Sequence, residues 1–165
     1  MPPFHQQHYD MFPDLDTFVW VDKYIIHPQV KQWDATVLAE VPDESCEVIY
    51  ASHLLEHIEH DYIPTVLALW QKKLKTGGEI VINVPDLYWT AKQLIKYEDG
   101  YLLDGYYNTF AGEHGLLSIL YGSQTHTGEY HKGGFTKRYL ESLGFTVESQ
   151  FDAHDMQVLI GRMKK

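Results

Sequence analysis

The stretch LKTGGEIVINVPD, residues 74–86, constrains the fold more than any other. Lys72, Lys73 and Lys75 place cations at the end of an apolar-periodic segment, and Gly77 and Gly78 then stop it. EIVINV, 79–84, is a near-continuous apolar run of strand length, the pattern of a strand buried on both faces. PDLYWTAKQLIKY follows, with Asp86 in position to cap a new helix. Helix, buried strand and helix within so few residues point to layers of helix on a sheet.

The rest of the chain extends this alternation. TFVWV, 17–21, reads as a buried strand ending at Asp22, and DATVLAEV as a weaker extended segment beginning at Asp34. PDES makes a turn before CEVIYA, 46–51, a second clear strand. From Ser52 the period changes. Leu54, Leu55 and Ile58 share a helical face, and Ile63, Val66, Leu67, Leu69 and Trp70 continue it after a break between Asp61 and Pro64. Residues 100–135 are rich in Gly, Tyr and His around one apolar stretch, LLSIL, which predicts a helix and a long functional loop. TKRYLESLG predicts a short helix closed by Gly144, and FTVESQFD with MQVLIGRM an antiparallel hairpin. The expectation is one α/β domain over residues 1–165 whose first 16 residues are irregular.

Composition narrows the function. Thirteen basic against 23 acidic residues leave a formal charge of −10, which repels phosphate backbones and argues against nucleic acid. No apolar run approaches the roughly 18 residues a membrane span requires. Cys46 is the one cysteine, so neither an internal disulfide nor a cysteine-based zinc motif is available. The opening MPPFHQQHYDMFPDLD lacks the basic and apolar regions of a secretory leader, and the expected compartment is the cytoplasm.

ASHLLEHIEHD, 51–61, holds three histidines and three carboxylates. His53 and His57 stand at the H-x-x-E-H spacing of inverted zinc proteases, with Glu56 as base and Glu113, His114, His126 or His131 as a third ligand. Such a motif needs both histidines inside one regular helix, whereas His53 comes two residues after the strand CEVIYA, at the strand-to-helix junction. The context therefore argues against a zinc hydrolase, and no metal is assigned. Asp22, Asp34, Ser52 with His53, and Pro85 with Asp86 each follow a predicted strand. Ligands of open α/β sheets bind outside these carboxyl ends, and carboxylates there suit ribose hydroxyls or an exocyclic amine.

VPDESCEVIYASHLLEHI followed by LKTGGEIVINVPD resembles the central motifs of class I S-adenosylmethionine-dependent methyltransferases, and YGSQ, YHKGGFT and YLESLGF resemble the tails of small members. The resemblance spans roughly Thr17 to Lys164 and implies a Rossmann-like sheet, mostly parallel with a C-terminal antiparallel hairpin. It implies S-adenosylmethionine as cofactor, held by Asp22 at the ribose, Asp34 and Ala35 at the adenine, and Ser52, His53 and Leu54 beside the transferred methyl. His53 and His131 are the catalytic candidates, with His114 a further base. His57, Asp86, Tyr88, His114 and Tyr130 fall on the side of a small-molecule or sugar acceptor. One part of the pattern is missing. The family's first strand and glycine-rich turn belong about 20 residues before Asp22, yet the first glycine is Gly77. That strand is central in the family's sheet, so its neighbours must pair directly or a second polypeptide, a homodimer partner or another chain, must fill the slot. The alternative function is a degenerate fold that binds without catalysing.

Overall fold

A computed structural model describes residues 12, 14, 17–24, 26–96, 116–124, 127–152 and 156–165, and the backbone of 101–102 and 106–107. Eight strands occur among them: β1 Trp20–Val21, β2 Val30–Lys31, β3 Cys46–Ser52, β4 Leu74–Pro85, β5 Tyr101–Leu102, β6 Tyr106–Tyr107, β7 Thr146–Phe151 and β8 Gln157–Lys164. Four helices accompany them: α1 Ile63–Lys73, α2 Leu87–Lys96, α3 Leu116–Tyr121 and α4 Lys137–Ser142.

The main sheet runs β3-β4-β8-β7. β3 and β4 are parallel, while β8 is antiparallel to both β4 and β7. The architecture is thus the α/β class with a mixed sheet and the closing hairpin expected from sequence. Both faces of β4 are covered, which is why EIVINV carries almost no polar letters. Ile80, Ile82 and Val84 meet Leu55, Ile63, Val66, Leu67 and Trp70 on one face, while Val81 joins Val158 and Ile160 on the other. Each such side chain contributes about 1.5–3 kcal/mol by leaving water. α1 ends at Lys73 with Lys72 and Lys73 in its last turn, earlier than the glycines suggest: Leu74 is already extended, and Gly77, at φ +81°, lies within β4. Asp86 caps α2, its Oδ1 accepting from the main-chain N–H of Tyr88 (2.9 Å) and Trp89 (3.2 Å). Thr136 caps α4 in the same way.

Three expectations need correction. TFVWV is not a buried strand: only Trp20 and Val21 are extended, pairing in parallel with Val30 and Lys31, and Val19 is 64% exposed. The β1–β2 ribbon forms a two-stranded sheet of its own, and Trp20 and Val21 are only half-buried in it. DATVLAEV is a set of turns, because the Asp34 main-chain oxygen accepts from Val37 and Leu38 N–H and the Asp34 side chain caps Thr36. The segment from Ser52 is not a regular helix. It makes two 3-10 turns, Leu55–His57 and His60–Tyr62, before Pro64 starts α1. Among the described residues β3 pairs with β4 alone, and β1 does not close against it.

Candidate functional site

The site begins where β3 ends. The His53 N–H donates to the Asn83 main-chain oxygen at 2.8 Å, and His53 then turns into the left-handed region at φ +48°. A non-glycine residue held there is strained by about 1–3 kcal/mol, a pattern that clusters at functional sites. The turn points the chain into the 3-10 segment anchored by Leu55, which is fully buried. Glu56, 1% exposed, lies beneath His53, with Oε1 3.2 Å from His53 Nδ1. The His53 side chain keeps 39% of its surface open.

A second segment folds over this turn. Lys132 and Gly133 donate their N–H groups to the Glu56 main-chain oxygen at 2.7 and 3.2 Å. Gly122, at φ +80°, lets α3 end against it: a Cβ there would collide with the Glu129 main-chain oxygen. His131 is thereby fixed twice, its N–H to Tyr121 oxygen and its Nδ1 2.9 Å from Ile119 oxygen. His57 Nδ1 lies 3.2 Å from Tyr130 oxygen, and the rings of His57 and His131 meet edge to face at 4.7 Å. Glu56, His57 and His131 each place one potential ligand atom within 4.8 Å of the others.

Burial pushes the Glu56 carboxyl upward, but the contact with His53 outweighs it and holds the group below the usual carboxylate range. Neither carboxylate oxygen accepts a hydrogen bond of good geometry. Burial lowers His131 below the ordinary imidazole range against the opposing pull of Glu56, so His131 is neutral near pH 7. His53 is the main contact that holds Glu56 low, with a smaller pull from His131.

A cleft of about 210 Å³ opens beside this cluster at the carboxyl end of β4. Glu56, Pro85, Thr90, His131, Gly134 and Phe135 line it. Of the residues expected at the site, the structure brings His53, His57 and His131 together around Glu56. Tyr130 contributes its main-chain oxygen. Asp86 is used as a helix cap, and Tyr88 is 61% exposed with Lys92 Nζ 4.2 Å over its ring; neither lines the cleft. His114 lies outside the described residues. Asp22 Oδ1 accepts from Tyr24 N–H at 2.7 Å. Asp34 accepts from Lys23 Nζ (2.7 Å) and from the Thr36 N–H (2.9 Å) and hydroxyl (2.6 Å). These contacts hold its carboxyl below the usual range even though burial, the largest influence, acts the other way. Ala35 oxygen accepts from Trp70 Nε1 at 2.8 Å, Ser52 is paired with Asn83 across β3 and β4, and Leu54 packs on the core.

Two site residues leave only a faint mark in the sequence. Glu56 reads as a base at protease spacing, and its place between Leu55 and Ile58 is the sign of a buried charge. Asn83 reads as part of a strand. It is buried with its Oδ1 unpartnered, and it is the one polar letter inside IVINV.

The sequence profile of the methyltransferase domain matches residues 7–150. The chain belongs to the class I S-adenosylmethionine-dependent methyltransferases. A methyltransferase from Archaeoglobus fulgidus is similar at 19% identity over 83% of this chain and 67% of that one, with a TM-score of 0.47. The Burkholderia thailandensis 1,6-didemethyltoxoflavin-N1-methyltransferase, solved with 1,6-didemethyltoxoflavin and S-adenosylhomocysteine, is similar at 15% identity, 88% of this chain and 59% of that one, with a TM-score of 0.51. The second likeness supports the methyltransferase fold. The chain spans 67% and 59% of the lengths of those two proteins. No curated protein matches it in sequence. No helix among the described residues is long and apolar enough to cross a membrane.

Proposed function

We propose that this methyltransferase binds S-adenosylmethionine at the carboxyl ends of β1, β2 and β3 and methylates a hydroxyl or amine of a small-molecule acceptor, a sugar among the candidates, at the adjoining cleft. The observation that carries this reading is the His53–Glu56 pair held by a left-handed turn at the end of β3. The donor set suits the cofactor. Asp22 and Asp34 follow β1 and β2 as carboxylates, and the orphaned Asn83 Oδ1 calls for a donor such as a ribose hydroxyl or an amine.

When bound, the cofactor supplies a methyl group already activated on sulfur, so most of the barrier is met by positioning. The chain's own residues handle the proton. The Glu56 carboxylate only accepts, so the proton of His53 sits on Nδ1 and Nε2 keeps its lone pair. His53 Nε2 would accept the proton of the acceptor's hydroxyl or amine, while the bound cofactor would supply the methyl group. Glu56 steadies the imidazolium that results, as the carboxylate of a catalytic triad does.

A second reading rests on the sequence: with no glycine before Gly77, this fold binds a ligand without catalysis, and a second polypeptide occupies the slot beside β3. The two separate on formation of S-adenosylhomocysteine from S-adenosylmethionine with a panel of small sugars, alcohols and amines. Catalysis predicts turnover that falls about 10²–10⁴-fold in His53→Gln, with an unchanged melting temperature. Absence of turnover with every acceptor supports the binding module.

A further inference from the structure

From the arrangement of Glu56, His57 and His131 we infer a divalent-metal site, suited to zinc or cobalt and distinct from the one that the H-x-x-E-H spacing suggests. In that spacing His53 would be a ligand and Glu56 the base. The left-handed turn at His53 takes it off the helix face it would share with His57. The ligand set is instead assembled from the 3-10 turn and the segment folded over it.

Three independent features converge. One ligand atom from each of the three side chains lies within 4.8 Å of the other two. Each histidine has Nδ1 within hydrogen-bond distance of a main-chain oxygen, His57 to Tyr130 and His131 to Ile119. A carbonyl can only accept, so Nδ1 carries the proton in both rings and Nε2 keeps the lone pair that binds metal. Protein metal sites fix the tautomer and orientation of their histidines in this way. Finally, Glu56 is a 1% exposed carboxylate whose oxygens lack well-formed hydrogen bonds. Lys132, the nearest lysine along the folded-over segment, is turned away onto Glu59 at 2.7 Å. His53 reaches one oxygen of this buried carboxylate from 3.2 Å, and a cation shared with two imidazoles would take the other.

Two imidazoles and one carboxylate form the donor set of open zinc centres, which leave a fourth position to water or substrate. Tetrahedral ligation at ordinary zinc distances brings ligand atoms to about 3.4 Å apart, so the three side chains close inward when the ion binds. Glu56 and His131 also line the cleft, which places the open position toward it. An acceptor hydroxyl on the ion would be more acidic, easing proton removal by His53. One carboxylate oxygen of Glu56 remains with His53 in this arrangement, so the metal and the base share one orienting group.

The test uses the full chain, stripped with chelator and titrated with Co²⁺ while visible absorption is followed, then with Zn²⁺ in competition. One equivalent should bind per chain with the ligand-field bands of four-coordinate cobalt, and Zn²⁺ should displace it. His57→Gln and His131→Gln should each weaken binding by about 100-fold or more, at least what loss of an outer-shell partner costs. His60→Gln, which removes an exposed histidine stacked on Tyr139 away from the cluster, should leave it unchanged. Circular dichroism of the metal-free variants checks that they are folded, and His57→Gln alone suffices if His131→Gln is not. Binding that is not stoichiometric, or that is the same in His57→Gln as in the parent, overturns the site. The readout uses the metal alone, so failure of methyl transfer leaves it standing and its own failure leaves the methyl-transfer reading intact.

Discussion

The β3-β4-β8-β7 sheet and the β1–β2 ribbon are built from similar residues under opposite conditions. In the main sheet each inner strand has neighbours on both sides, and Ile80, Val81, Ile82 and Leu159 are fully or almost fully shielded from water. In the ribbon two residues pair with two, and Trp20 and Val21 are only half-buried despite their size and shape. The difference shows that an apolar run makes a long buried strand only when the sheet beside it is there to cover it. It also divides labour: the main sheet supplies the rigid end of β3 that carries His53, and the ribbon supplies the polar ends that follow it.

The largest effect should come from the main core. Leu55→Ala, beneath the site turn, should cost about 2–5 kcal/mol in chemical denaturation, whereas Val21→Ala in the ribbon should cost about 1 kcal/mol. Equal losses would erase the distinction between the regions. Next, Gly122→Ala should destabilise the chain by about 1–3 kcal/mol, because the new methyl meets the Glu129 carbonyl in a left-handed turn. Two-dimensional NMR should show its largest changes at His131; an undisturbed spectrum there would refute the role of the turn. Trp70→Phe should cost about 1–2 kcal/mol, since it removes the hydrogen bond to Ala35 that ties the turn after β2 to α1. Amide exchange should speed up over residues 20–38 and stay slow in β4; uniform exchange would show that the ribbon does not depend on this tie.

The smallest effect concerns acid. The Asp34 carboxyl is held below its ordinary value in the folded chain, so its contribution is present above the unfolded pKa and is lost as pH falls below about 4. Asp34→Asn should lower stability near neutral pH by about 1 kcal/mol or less and flatten the loss on acidification. An unchanged acid slope in melting temperature would show that Lys23 and Thr36 do not hold that carboxylate.

Much of the main sheet was legible because burial on two faces leaves a direct trace in sequence. EIVINV, CEVIYA and the closing hairpin all fall where their patterns place them. The turn at 53–57 was not legible, since Leu54, Leu55 and Ile58 suit a 3-10 turn as well as an α-helix and a left-handed His53 leaves no mark in composition. Nor was the pairing of His57 with the segment of His131. That contact joins residues 73 positions apart, His57 to Tyr130, and depends on where α3 ends. The site is therefore half written in local pattern and half in tertiary closure.

The most direct measurement is calorimetric titration of S-adenosylmethionine, then S-adenosylhomocysteine, into the full chain. The account predicts micromolar binding at one site per chain, weakened in Asp22→Ala and in Asn83→Ala. No heat and no thermal stabilisation at millimolar ligand would contradict it, leaving the fold of a methyltransferase without its cofactor.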